Sequence, residues 1–336
     1  MATLSTLNPT LADVAKRLDP NGKIDTIVEL LSETNEILQD ATFMEGNLPT
    51  GHRTTVRTGL PAPTWRKLYG GVQPTKSRTA QITENTGMLE AYAEVDKALA
   101  DLNGNTASFR LSEDRAHIEG INQEVAETMF YGAEATHPEE FTGLSPRFND
   151  LTSAENKVNI IDNGGQDADN TSIWLVVWGP STVHGIYPKG SKGGLQMNDK
   201  GQVTIENVDG EGGRMEAYRT HYRWDLGLVV RDWRYVVRIA NVKSALMQAD
   251  SADGIAAQKA LIRSMIRASE RIPTFGVGRA AWYCNRTVRT ALRLGIVERI
   301  ANNLTWETVE GKRVMTFDNI PIRRVDAITN NEARVV

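Results

Sequence analysis

The chain has 336 residues, 40% hydrophobic and 24% charged, with a net charge of −4 and one cysteine, Cys284. This length is enough for a substantial core and for two domains, while no run of about 18 apolar residues is present to span a membrane. A lone cysteine excludes an internal disulfide or a multi-cysteine metal site and suits a reducing cytosol, and the first eight residues lack the basic and apolar regions of a secretory signal.

Residues 10–18 read as a short helix capped by Thr10, with Leu11, Val14, Ala15 and Leu18 on one face. After Asp19-Pro20, a cleaner helical stripe runs through Ile24, Ile27, Val28, Leu31 and Leu38. Two such helices either dock on a partner or pack on the chain's own core.

From Gly46 to Thr83 the pattern changes. This stretch holds six cations, Arg53, Arg57, Arg66, Lys67, Lys76 and Arg78, and no acid. Pro49, Pro61, Pro63 and the Gly70-Gly71-x-x-Pro74 break exclude a long helix. His52–Thr58 and Thr75–Thr83 are rich in Thr, Val and Ile and alternate, which predicts a two-stranded arm bending near Trp65–Gly71. Legs of about 15 residues reach about 50 Å, whereas a body of about 300 residues has a radius of gyration of about 19 Å. The arm is therefore expected to leave its own body and lie on another copy of the chain. Without the arm the remainder carries −10, so a basic limb is joined to an acidic body. That balance favours protein over nucleic acid as the arm's partner.

Beyond the arm, Leu89, Ala91, Ala93 and Val95 alternate with Glu90, Tyr92 and Glu94, as in a strand that passes into a short helix over 96–102; a helix throughout is the alternative. Glu84, Glu90, Glu94, Asp96 and Asp101 are balanced only by Lys97. They are either an acidic counterpart to the arm or a solvated face. Asn103–Ser108 reads as a polar loop. Ser112 then caps a helix to Tyr131 with Ile118, Ile121, Val125 and Met129 in its stripe and Glu113 and Asp114 at its positive end. Gly132 ends it, and an acidic turn-rich connection with Glu134, Glu139 and Glu140 follows to Leu144.

The Gly-rich loop Asp162–Asn170 lacks the ligand spacing of a calcium loop. Ile173–Trp178 and Val183–Tyr187 read as strands, and Gly190–Gly213 as loops with a short hairpin. Gly190-Ser191-Lys192-Gly193-Gly194 lacks the spacing and the helix of a phosphate loop. Ala217–Ala240 gives two long strands. Tyr218, Thr220, Tyr222 and Trp224 share one face, and Trp233, Tyr235, Val237 and Ile239 share another after the Arg231-Asp232 break. Arg219, Arg223, Arg234 and Arg238 between these aromatics would suit a nucleic-acid surface, but the consistent apolar faces favour a half-buried sheet with arginines on its open side. Asp253 opens a helix with Ile255, Ile262, Met265, Ile266 and Ser269 in its stripe. Gly276–Ala281 follows that helix, not a strand, and so is no dinucleotide fingerprint. Asn285 caps a further helix, which Gly295 interrupts before Ile296–Ala301, and Val314–Phe317 and Ile320–Ile328 close a hairpin at Asp318-Asn319. Five scattered histidines form neither a metal site nor a triad, and Cys284 reads as a packing residue. Catalytic, cofactor-binding and metal residues are all expected to be absent.

The combination of an N-terminal arm, a long basic β-excursion, a long helix ending in Phe130-Tyr131-Gly132, a loop closing in Thr142-Gly143-Leu144, and the segment Phe317-Asp318-Asn319-Ile320-Pro321-Ile322-Arg323-Arg324-Val325-Asp326 resembles the major capsid protein of tailed bacteriophages. The resemblance spans most of the chain. It implies an α+β fold of the Hong Kong ninety-seven type, with an N-terminal arm (1–45), extended loop (46–95), peripheral domain (96–250, with spine helix 112–131 and long strands 217–240) and axial domain (251–336). In the commoner family order the peripheral strands return after the axial domain. Here they precede it, which points to rearranged connectivity. The implied function is structural, with pentamers and hexamers closing an icosahedral head around double-stranded DNA that is contacted weakly. Scaffold, portal and decoration proteins are the implied partners, the host bacterial cytoplasm the place of assembly, and no membrane is involved. Arg53, Arg57, Arg66, Lys67, Lys76 and Arg78 would grip neighbours through Glu90, Glu94, Glu134, Glu139 and Glu140. Some relatives crosslink covalently through a lysine of the extended loop, a role in which Lys67 or Lys76 could be cast, but no motif supplies its partners, so non-covalent locking is expected. The alternative is a cytosolic nucleic-acid-binding protein that uses the 46–83 arm.

Overall fold

A computed structural model describes residues 35–104, 106–206, 212–249, 251–297, 304–309 and 312–336. The helix expected over 10–18, most of the 24–38 stripe and the continuation to Ala301 lie outside them. In chain order the elements are α1 (Ile37–Asp40), β1 (Phe43–Glu45), β2 (Gly51–Gly59), β3 (Arg78–Asn85), β4 (Gly87–Asp96), α2 (Lys97–Ala100), α3 (Thr106–Tyr131), β5 (Ile160–Asp162), β6 (Asn170–Trp178), β7 (Val183–Tyr187), β8 (Gln196–Glu206), β9 (Arg214–Val230), β10 (Val236–Lys243), α4 (Ser244–Met247), α5 (Ala252–Arg271), β11 (Arg279–Cys284), α6 (Arg286–Val297), β12 (Leu304–Val309), β13 (Lys312–Phe317) and β14 (Ile320–Arg324).

Strand β6 is the centre because both its faces are apolar. Trp174, Val176 and Trp178 enter the core beneath α3, while Ile173, Leu175 and Val177 enter a second core beneath α5 and α6. A strand covered on both sides reads as an unbroken apolar run. β10 and β11 flank it antiparallel, and β11 pairs in parallel with β14. The 12-stranded sheet then continues through β7 to β9, with β4 and β8 beside β9. On β9, Thr220, Tyr222, Leu226 and Leu228 point inward. β2 and β3 form a separate two-stranded hairpin.

Several elements differ from the sequence reading. The long helix begins at Thr106, not Ser112, and Thr106–Ser108, expected in a polar loop, is helical. Phe109 explains the extra turns, since it is buried with Val95 and Ala100 and its burial outweighs the poor propensity of the polar residues around it. The Thr106 hydroxyl donates to Asp101 at 2.7 Å. Ile118, assigned to the stripe, is exposed. β8 is an 11-residue strand where loops and a short hairpin were expected; a register shift between Asp199 and Gly201 hides its alternation. Trp233 and Tyr235 lie in a 3-10 turn, not in the strand. Arg238 is buried instead of facing solvent, lying 4.9 Å over the Trp174 ring and 2.8 Å from Glu332. Ser251, not Asp253, caps α5, its hydroxyl accepting from Gly254 N–H, and Ile266 faces outward. α6 runs through Gly295 to Val297. Its expected cap is present, with the Asn285 side chain accepting from Val288 N–H at 3.0 Å. Asp318 and Asn319 take positive φ, as a two-residue hairpin turn requires.

Candidate subunit-contact surface

The arm is a hairpin in the expected place. Gly51 pairs with Asn85 and Arg57 with Thr79, and the ladder stops at Gly59 and Arg78. The 18 residues between have no strand of their own apart from a turn near Tyr69. Prolines remove donors there, and the apolar residues find nothing to cover them. Trp65 and Tyr69 are 101% and 105% exposed, and Leu60 and Leu68 nearly so. Arg57, Arg66, Lys67, Lys76 and Arg78 meet no carboxylate of their own chain among the described residues, while Arg53 donates to the Thr83 hydroxyl at 3.2 Å.

The base of the arm is held firmly. Arg147, which the sequence reading did not single out, donates to both oxygens of the buried Glu84 at 2.5 and 2.7 Å. The same guanidinium reaches the carbonyls of Thr142, Gly143 and Leu228. One side chain thus ties β3 to the loop after α3 and to β9. A bidentate pair with further hydrogen bonds is the arrangement in which a sheltered arginine repays its desolvation. Nearby, His52 packs edge-on against the buried His184, with ring centroids 5.8 Å apart. Burial first, then the charge of His52, push the pKa of His184 down to about 4; burial also lowers that of His52.

The acidic candidates divide by position. Glu90 and Glu94 point outward from β4 and face β9, where Glu90 meets His221 at 3.2 Å and Arg223 at 3.6 Å, and Glu94 accepts from Arg219 at 2.5 Å. These pairs follow the register that sets Glu90 opposite Arg223 and Glu94 opposite Arg219. Glu134 accepts from Asn85 at 2.5 Å, and Glu139 lies 4.0 Å from His137. Glu127 and Glu140 both stand near Glu124. Burial and these two like charges raise the pKa of Glu124. Among the described residues no cation of the chain pairs with Glu124, Glu127 or Glu140.

The loop carrying these acids is locked to the helix end. Gly132 N–H donates to Thr128 O, Gly143 N–H to Gly132 O at 2.8 Å, and Leu144 N–H to Met129 O at 3.0 Å. A Cβ at Gly143 would lie 2.5 Å from Thr128 O, so this close approach requires glycine. Cys284 is fully buried and its thiol is pushed up to about 12, which leaves it a packing residue.

The family model of major capsid protein GP7 matches residues 19–336. A chain in the cryo-EM structure of bacteriophage Epsilon15 is similar, with 38% identity, a TM-score of 0.76, and coverage of 100% of this chain and 99% of that one. A chain of the bacteriophage JBD30 capsid aligns with 11% identity and a TM-score of 0.46, over 89% of this chain and 92% of that one. No curated protein matches.

Proposed function

The chain belongs to the major capsid protein GP7 family, and from that premise we propose that its copies form pentamers and hexamers that close an icosahedral head around double-stranded DNA, each copy gripping its neighbours with the basic arm. The family role is structural, the building of a phage shell. The observation that carries the finer reading is the arm: an anchored hairpin whose tip exposes Trp65, Leu68 and Tyr69 beside cations that meet no carboxylate among the described residues. Apolar and charged groups left this bare signal a contact made elsewhere.

One exposed ion pair contributes only about 0–1 kcal/mol, but contacts repeated around a shell act together because several neighbours hold each subunit. The strands and helices of 251–336 serve as the axial unit around which capsomers form, and β9 with α3 as the peripheral unit. No catalytic role is assigned. Assembly takes place in the host cytoplasm, with scaffold and portal as partners.

Electron microscopy of the purified chain, alone or with a scaffold, tests the reading. Uniform shell-sized particles support it; a small oligomer that retards DNA on a gel would instead establish the nucleic-acid alternative. Reversing Arg53, Arg57 and Arg66 to Glu should leave a folded subunit that no longer closes shells, and unchanged assembly would refute the electrostatic part.

A further inference from the structure

The end of β5 and the loop beyond it carry a group of side chains to which the building of a shell gives no role. Asp162, Asn163 and Gly164 follow one another there, and Ser264 approaches them from α5. Gly164 has a φ of 89°, and a Cβ on it would meet no atom within 4 Å, so backbone conformation and not crowding selects glycine. Its nitrogen is thereby left unhindered. Three polar contacts converge on this nitrogen and on the Asn163 side chain. The Ser264 hydroxyl donates to the Asn163 side-chain carbonyl at 3.0 Å. Gly164 N–H donates to Asp162 Oδ1 at 2.8 Å, and Asn241 Nδ2 donates to the same oxygen at 2.9 Å, which fixes the carboxylate. The Asn163 backbone is held too, its N–H donating to Ala240 O at 3.0 Å. Among the described residues the Asn163 amide nitrogen meets no acceptor. A cavity of about 200 Å³ lined by Asn163, Gly164, Gln166 and Asp167 adjoins the group, and Gly164 is exposed, so water reaches it.

We propose that Asn163 modifies itself: its side chain closes on the Gly164 nitrogen with loss of ammonia, and water then converts the residue to aspartate or isoaspartate. In the first step the Gly164 nitrogen attacks the Asn163 side-chain carbon, a C–N bond forms, and the amide proton passes to Asp162 as general base. The Ser264 hydroxyl supports the negative charge that develops on the carbonyl oxygen. Collapse breaks the bond to the side-chain nitrogen, which takes the proton from Asp162 and leaves as ammonia. A water molecule opens the resulting cyclic imide. Opening at the side-chain carbon gives aspartate, and opening at the backbone carbonyl gives isoaspartate, whose main chain is longer by a methylene group. Nucleophile and electrophile belong to adjacent residues, so nothing has to be brought together, and the polar contacts supply the orientation. The new carboxylate stands next to Asp162 in a loop that already holds Asp167 and Asp169, where like charges repel. Isoaspartate also displaces the oxygen to which Ser264 donates. The tie between this loop and α5 is therefore weakened with age. This chemistry goes beyond the capsid reading and does not depend on it.

The test follows the purified full-length chain at neutral pH, folded in buffer and unfolded in urea. Trypsin releases residues 158–189 as one peptide, and fragmentation mass spectrometry reads ammonia loss and amide-to-acid conversion at Asn163. Conversion is expected about tenfold faster in the folded chain than in urea. An equal or slower rate in the folded chain overturns the proposal, and this comparison needs no variant to fold. Asn21-Gly22 and Asn103-Gly104 share the dipeptide and give reference rates in urea. Ser264→Ala and Asp162→Asn should each slow the folded rate about tenfold while leaving the rate in urea nearly unchanged, and Ser264→Thr, which keeps a hydroxyl, should recover it. Wild-type rates in both Ser264→Ala and Asp162→Asn, with unchanged circular dichroism spectra, overturn the assigned mechanism.

Discussion

Arg147 joins three segments that are distant in sequence: the arm at Glu84, the loop at Thr142 and Gly143, and β9 at Leu228. Replacing it by Ala leaves Glu84 sheltered without a partner, a change that costs about 3–5 kcal/mol where the pair is fully buried and less at this partly exposed site. The loss should be local, so limited proteolysis of Arg147→Ala is expected to cut within 46–83 several times faster than wild type; equal rates would show that the arm base is held by other contacts. His184 gives a second test. Its ordinary pKa is 6.5, and the fold lowers it to about 4. Between these values the unfolded chain binds a proton that the folded chain refuses, so the stability contributed by the neutral ring is complete above about pH 6.5 and is lost as the pH falls to about 4. Urea unfolding across this window should show a smaller pH slope for His184→Leu than for wild type.

At the scale of elements, the junction of α3 with the following loop is tightly constrained. Gly143→Ala would set a methyl group against the backbone oxygens of Thr128 and Met129, at 2.5 and 2.9 Å, and backbone cannot move aside cheaply. A loss of about 1–3 kcal/mol is expected, read as a lower melting temperature. The acids at 134–140 hang from this junction, so the same change should also impair assembly. Element type was legible where periodicity was unbroken, as in β9 and the hairpin of the arm, and in β6 by its composition, an unbroken apolar run. Boundaries failed where a distant contact intervened: Phe109 pulls the start of α3 back to Thr106, and the register shift near Gly201 hides β8.

For the whole molecule, the contrast between a basic arm and an acidic body makes association sensitive to ionic strength. The Debye length shrinks from about 10 Å at 0.1 M to about 3 Å at 1 M salt. Assembly kinetics followed by light scattering should therefore slow as salt rises, mainly through encounter, whereas apolar burial between subunits, which salt does not screen, should keep finished shells intact. A rate independent of salt would mean that charge plays no part in bringing subunits together.

The sequence by itself determined that 46–83 cannot fold as a core, because its charges share one sign and its prolines and glycines forbid a helix. It likewise determined the buried central strand, from a local apolar run, and the long helix, from a local periodic stripe. Only the tertiary structure decided which charges are already satisfied. Glu84, Glu90, Glu94 and Arg238 resemble the other charged residues in sequence, yet their partners lie at Arg147, Arg223, Arg219 and Glu332. Pairing depends on strand register and packing between segments far apart in the chain, which no local pattern encodes. The carboxylates on and beside α3 that meet no cation among the described residues emerge only after those pairs are drawn.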